Sequence, residues 1–144
     1  MSVGIFPLGD RAVTAALTNE VITQGVSAAN VAQAFIDRLE GMSAVTLFCN
    51  FVYGSGGTTC AVVVQTTLDD VNWIDIARFD FTTASASKVA NLTGFLAKAV
   101  AAVAALSAEG VNDGVLGAKL RARVTSTGTY AGNTSVSIRA AVRQ

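Results

Sequence analysis

The stretch Val62-Val-Val-Gln-Thr-Thr-Leu-Asp-Asp-Val-Asn-Trp-Ile-Asp-Ile-Ala-Arg-Phe79 constrains the fold more than any other part of the chain. β-Branched and aromatic residues suit a pleated, half-buried surface. They fill both arms of this stretch, and the turn formers Asp69-Asp70-Val71-Asn72 separate them. Two strands joined by an acidic turn are expected. In the first arm Val62, Val64, Thr66 and Leu68 alternate with Ala61, Val63, Gln65 and Thr67. In the second, Ile74 and Ile76 hold one parity and Phe79 and Phe81 the other, which predicts a face-switching bulge near Ala77-Arg78.

The period of two recurs on both sides of this unit. Val45, Leu47, Cys49 and Phe51 alternate with Thr46, Phe48, Asn50 and Val52, and the Gly54-Ser-Gly-Gly57 run is expected to turn this strand into a hairpin with the next. At the carboxyl end Leu120, Ala122 and Val124 oppose Lys119, Arg121 and Arg123. Val136, Ile138, Ala140 and Val142 then oppose Ser135, Ser137, Arg139 and Arg143, so a second hairpin is expected with its five cations on one face. Ser27 is positioned to cap a short helix carrying Val31, Phe35 and Leu39, against a rival strand over Ala34 to Arg38. Alanine-rich Gly94 to Leu106 suits a second helix. Residues 1–26 lack a clean period, and Pro7 and Gly9 discourage a regular element, so they read as an extended arm that packs on its own domain or reaches a neighbour. The organisation is therefore an arm, 1–26, and one mainly β domain, 27–144, with at most one or two short helices.

Composition narrows the function. The chain has no histidine, so the commonest general base, the usual triad member and the commonest zinc ligand are missing. The glycine run at Gly54 lacks the Gly-Lys-Ser/Thr ending of a phosphate loop, and Asp69, Asp70 and Asp75 do not follow the spacing of a calcium loop. No enzymatic activity, cofactor or metal is expected. The uncharged span from Gly41 to Leu68 is broken by Ser43, Thr46, Asn50, Gly54 to Thr59 and Gln65, which argues against a membrane helix. The amino terminus shows no basic region followed by an apolar core, so no secretory signal is expected. Cys49 and Cys60 flank the glycine run. Depending on the loop they face each other or sit diagonally, and two buried thiols are the expectation for a reducing cytosol.

Half of the residues are hydrophobic and 14% are charged, which is apolar for one 144-residue domain and points to surface buried between chains. The charge is also divided. Ten acids against five bases precede residue 114, giving −5, and five bases without an acid follow, giving +5. Lys119, Arg121, Arg123, Arg139 and Arg143 are the candidate docking residues for acidic protein surface, against the plainer reading of a solvated face that discourages edge aggregation. Specific nucleic-acid binding is not expected, because Trp73 and Tyr130 form no evident stacking platform and the whole chain is neutral.

Gly54 to Gly57, Val64-Gln-Thr-Thr-Leu-Asp69, Trp73-Ile-Asp-Ile-Ala77 and Thr127-Gly-Thr-Tyr-Ala-Gly132 resemble the small β-sandwich virion proteins of tailed bacteriophages. The resemblance covers roughly residues 35–83 and 114–143. It implies an antiparallel, jelly-roll-like sandwich that decorates or cements the exterior of a capsid after synthesis in the host cytoplasm. It also implies contact with the major capsid protein and with further copies of the chain as a homodimer or homotrimer. The alternatives are a tail or neck ring component and a carbohydrate-binding sandwich displaying Trp73 and Tyr130.

Overall fold

Strands whose two faces differ in polarity bury one row and leave the other near solvent. In the computed structural model, which describes residues 3–22 and 34–144, the main strands are β1 (Gly4–Ala12), β2 (Glu20–Ile22), β3 (Ala44–Val52), β5 (Thr59–Thr67), β6 (Trp73–Phe81), β7 (Ala86–Thr93), β8 (Lys119–Thr127) and β10 (Ser135–Arg143). The central strands β3, β5, β8 and β10 bury one row in this way, and the others flank them. Two short pieces, β4 (Ser55–Gly56) and β9 (Tyr130–Ala131), pair only with each other. One antiparallel sheet has the order β1-β10-β3-β7 and the other β2-β8-β5-β6.

The order is a set of nested pairs: β5 with β6, β3 with β7, β2 with β8 and β1 with β10. The chain is thus one long antiparallel ribbon, folded at the β5–β6 turn and rolled so that successive pairs fall in alternate sheets. That is the jelly-roll arrangement, two Greek keys packed as a sandwich. The core lies between the sheets. Val45, Leu47, Cys49 and Phe51 of β3 and Val136, Ile138, Ala140 and Val142 of β10 face Val62 and Val64 of β5 and Leu120, Ala122 and Val124 of β8. The face switch in β6 is present one residue earlier than expected. Val64 pairs with Ala77 and Gln65 with Asp75, leaving Ile76 as the extra residue, and Ile76 and Ala77 are both buried.

Four expectations need correction. The glycine run does not make a hairpin, since β3 and β5 belong to different sheets and the segment between them crosses the end of the sandwich. The carboxyl-terminal strands β8 and β10 likewise lie in opposite sheets. In both cases alternation identified which side chains face inward, and two inward rows facing across a sandwich look the same in sequence as two rows sharing a hairpin face. Gly94 to Leu106 is not a helix. With lone Lys98 it has no polar face, and a helix apolar all round must be buried all round. Finally, Pro7 and Gly9 do not prevent order. β1 runs through them with a register shift between Pro7 and Gly9, and it packs along its own sandwich beside β10. Ser27 and Val31 lie outside the described residues. Of the rival strand at Ala34 to Arg38, a single bridge remains, Ile36 with Leu120.

Candidate contact surfaces

The five candidate cations are divided between the two outer faces. Lys119, Arg121 and Arg123 project from β8 on the β2-β8-β5-β6 sheet, whereas Arg139 and Arg143 project from β10 on the opposite sheet. Four of them have partners inside the chain. Lys119 Nζ meets Asp70 Oδ1 at 3.1 Å, and Arg139 NH1 meets Asp10 Oδ1 at 2.9 Å. Arg123 NH1 donates to the Asn19 carbonyl at 3.1 Å. Arg121 Nε donates to Gln65 Oε1 at 2.8 Å, Gln65 Nε2 donates to Asp75 Oδ1 at 2.7 Å, and Asp75 Oδ2 accepts from the Leu106 backbone N–H at 3.3 Å. The opposite charges separated in sequence are therefore partly joined by the fold. Arg143 is exposed.

Arg121 and Lys119 also pack against aromatic rings. The Arg121 guanidinium lies 4.1 Å from the centre of the Trp73 ring, and Lys119 Nζ lies 4.6 Å from that of Phe35, whose own centroid is 6.2 Å from Trp73. Burial first, then the like charge of Arg123, lower the Arg121 guanidinium to about 10 against the attraction of Asp75. A planar cation stacked on indole and tied to an amide is holding the sheet surface together. Trp73 belongs to this ladder.

The other sequence candidates have structural roles. Asp69 accepts backbone N–H bonds from Val71 at 2.9 Å and Asn72 at 2.7 Å. These donors, with the Asn72 amide, hold its carboxyl down at about 2. It shapes the turn, while Asp70 pairs with Lys119 and Asp75 joins Gln65. Gly54 and Gly57 are demanded by close packing: a Cβ at Gly54 would stand 2.0 Å from the Gly132 carbonyl oxygen, and one at Gly57 2.3 Å from the Tyr130 ring. Tyr130 is 1% exposed, packed edge-on to Phe51, and donates its hydroxyl to the Thr82 carbonyl at 2.7 Å. Cys49 and Cys60 are free, buried thiols on opposing sheets; burial pushes Cys60 up to about 11 and Cys49 higher still.

What the sequence did not locate is the apolar surface that remains outside. On the outer face of the β1-β10-β3-β7 sheet, Phe48 pairs across strands with Val89, and Ile5 and Val52 are exposed on the same sheet. The connection from β7 to β8 is a second site. Phe95 is 82% exposed, Val103 69%, and Val100 fully so. A groove of about 490 Å³ separates this segment from Leu68, Ile74, Val111 and Val115. Its near lack of charge and its wholly apolar circumference were the signals available in the sequence. The sequence matches no protein-family model, and no curated protein shows significant similarity to it.

Proposed function

We propose that this chain is a structural virion protein that decorates and cements the exterior of a tailed-phage capsid, bridging subunits of the major capsid protein. The observation that carries the reading is that a body whose core is already filled keeps two separate apolar surfaces outside: the Phe48–Val89 face and the segment after β7. A clamp must touch more than one neighbour, and contiguous exposed apolar patches mark protein contacts. The jelly roll is common to viral capsid domains, lectins and cupins, so it supports the reading by analogy alone. Tyr130, buried and hydrogen-bonded, is not displayed for a saccharide, which weakens the carbohydrate alternative.

In this reading the Phe48–Val89 face meets the shell, with exposed Arg143 at its rim toward acidic surface. Holding capsomers together then follows from buried area, about 25 cal/mol per Å² before ordering costs, repeated across the lattice. The test is occupancy on purified tailed-phage shells stripped of decoration. Wild type should bind and raise the temperature at which shells open, and Phe48→Asp with Val89→Asp should abolish binding while circular dichroism stays unchanged. Failure of the wild-type protein to bind, or equal occupancy for the variant, would sink this assignment.

A further inference from the structure

We propose that two copies of this chain associate by mutual strand addition, with the arch 95–105 of each lying along the open edge of β7 in the other. The proposal rests on the reading of the chain as an assembly protein and names the partner of its second apolar surface.

The arch is built to accept a strand partner. Among the described residues, none of the backbone N–H or C=O groups of residues 96–105 takes part in a hydrogen bond. Backbone polar groups left in this state beside apolar side chains are what an added strand satisfies. Both ends are fixed. Phe95 N donates to Thr93 Oγ1 at 3.2 Å, Leu106 N to Asp75, and Arg78 NH1 to the Leu106 carbonyl at 3.1 Å. Lys98, the charge within the arch, is drawn back to the Asp113 carbonyl at 2.9 Å. The arch is therefore pinned at both ends and at Lys98, which limits the ordering left to be done on binding.

β7 is the edge that fits it. Thr93 N donates to Asp113 Oδ1 at 2.7 Å and the Thr93 carbonyl accepts from Gly114 N at 3.0 Å, so backbone groups of that parity point away from β3. Alternation gives the same direction to Ser87, Val89 and Asn91. The other edges are obstructed. On β6, Ile76 and Arg78 are already bonded to Asn112 and Gly110, and the Asp80 carbonyl accepts from Lys88. β1 carries Pro7 and a register shift, and β2 is three residues long. At roughly 3.3 Å per residue the arch is longer than the open part of β7, leaving slack at both pins. Because the arch begins two residues after β7 ends, a two-fold axis brings each arch to the other edge, a self-complementary interface.

Light scattering on the isolated protein, without shells, should give a dimer at micromolar concentration. Ala99→Pro with Ala101→Pro removes two donors in a segment with no internal backbone bonds. It should weaken association about a hundredfold or more, with circular dichroism unchanged. Asn91→Cys combined with single cysteines along residues 99–103 should form intermolecular disulfides at alternate arch positions, since Cys49 and Cys60 are buried. A wild-type monomer, a trimer, or a dimer indifferent to the prolines overturns strand exchange. Shell occupancy is read separately: a monomer that still binds shells leaves the cement reading standing, and a dimer that binds none removes the cement reading alone.

Discussion

The arch after β7, with ten hydrophobic residues among the eleven from 95 to 105, is more apolar than β5, with five of nine, and yet it stays outside. Val62 and Val64 of β5 are wholly buried, whereas Val100 and Val103 of the arch face solvent. The difference is not hydrophobicity. β5 has β8 on one side and β6 on the other, so its backbone is paired along both edges while alternate side chains enter the core. The arch is rich in alanine, whose burial returns little per residue, and the backbone of residues 96–105 finds no partner in the chain's described residues. A segment is brought inside when a neighbour can satisfy its peptide groups, and apolar side chains alone do not secure a place there.

The sharpest way to break this contrast is to cut into the core side. Phe51 is fully buried, with its ring 4.9 Å from Phe81 and edge-on to Tyr130. Phe51→Ala should lower unfolding free energy by about 3–5 kcal/mol in urea titration. A loss under about 1 kcal/mol would mean that the rolled sandwich does not depend on this cluster. Next in size is Gly54→Ala at the crossing between sheets, where the new methyl would meet the carbonyl oxygens of Gly132 at 2.0 Å and Ala131 at 2.4 Å. Relief requires backbone movement, and the expected loss is about 1–3 kcal/mol.

The sequence made inward-facing residues legible and left strand partners hidden. Leu120, Ala122 and Val124 form one alternating row in the sequence and Val136, Ile138 and Ala140 another, and both rows are buried. Period-two alternation reports a side chain's face and says nothing about which sheet the strand joins. That is why alternation alone sets the five cations on one face, although β8 and β10 carry them on opposite outer faces. The Val62–Phe79 unit was readable because its turn is local: Asp69 and the Val71 and Asn72 amides are neighbours in sequence. The ladder of Lys119, Phe35, Trp73 and Arg121 joins residues far apart in the chain, so no local signal announced it. The exposed apolar face was foreshadowed by composition, since 51% hydrophobic residues exceed what one core of this size needs, but its location required the fold.

A smaller effect should follow pH. The Asp69 carboxyl is held at about 2 against an ordinary 3.8, so its folded-state pKa is depressed. Its contribution is fully present above about pH 4 and fades as pH falls toward about 2. Asp69→Ala should therefore be less stable than wild type at neutral pH. The two denaturation curves should converge as acid protonates the wild-type carboxyl. Curves that stay parallel down to about pH 2 would show that the turn amides do not hold the carboxylate in solution.

The smallest expected effect tests the arch side of the contrast. Val100→Ser replaces a fully exposed side chain that touches no core residue, so the unfolding free energy of the folded monomer should change by less than about 0.5 kcal/mol. Measured in dilute solution, where self-association contributes nothing by mass action, its urea midpoint should match that of wild type. At higher concentration, where wild type gains stability from any association, the variant should fall behind. A concentration-independent loss of about 1 kcal/mol or more would place Val100 against the sandwich within its own chain. The arch would then be a covering of the core, and the contrast with β5 would disappear.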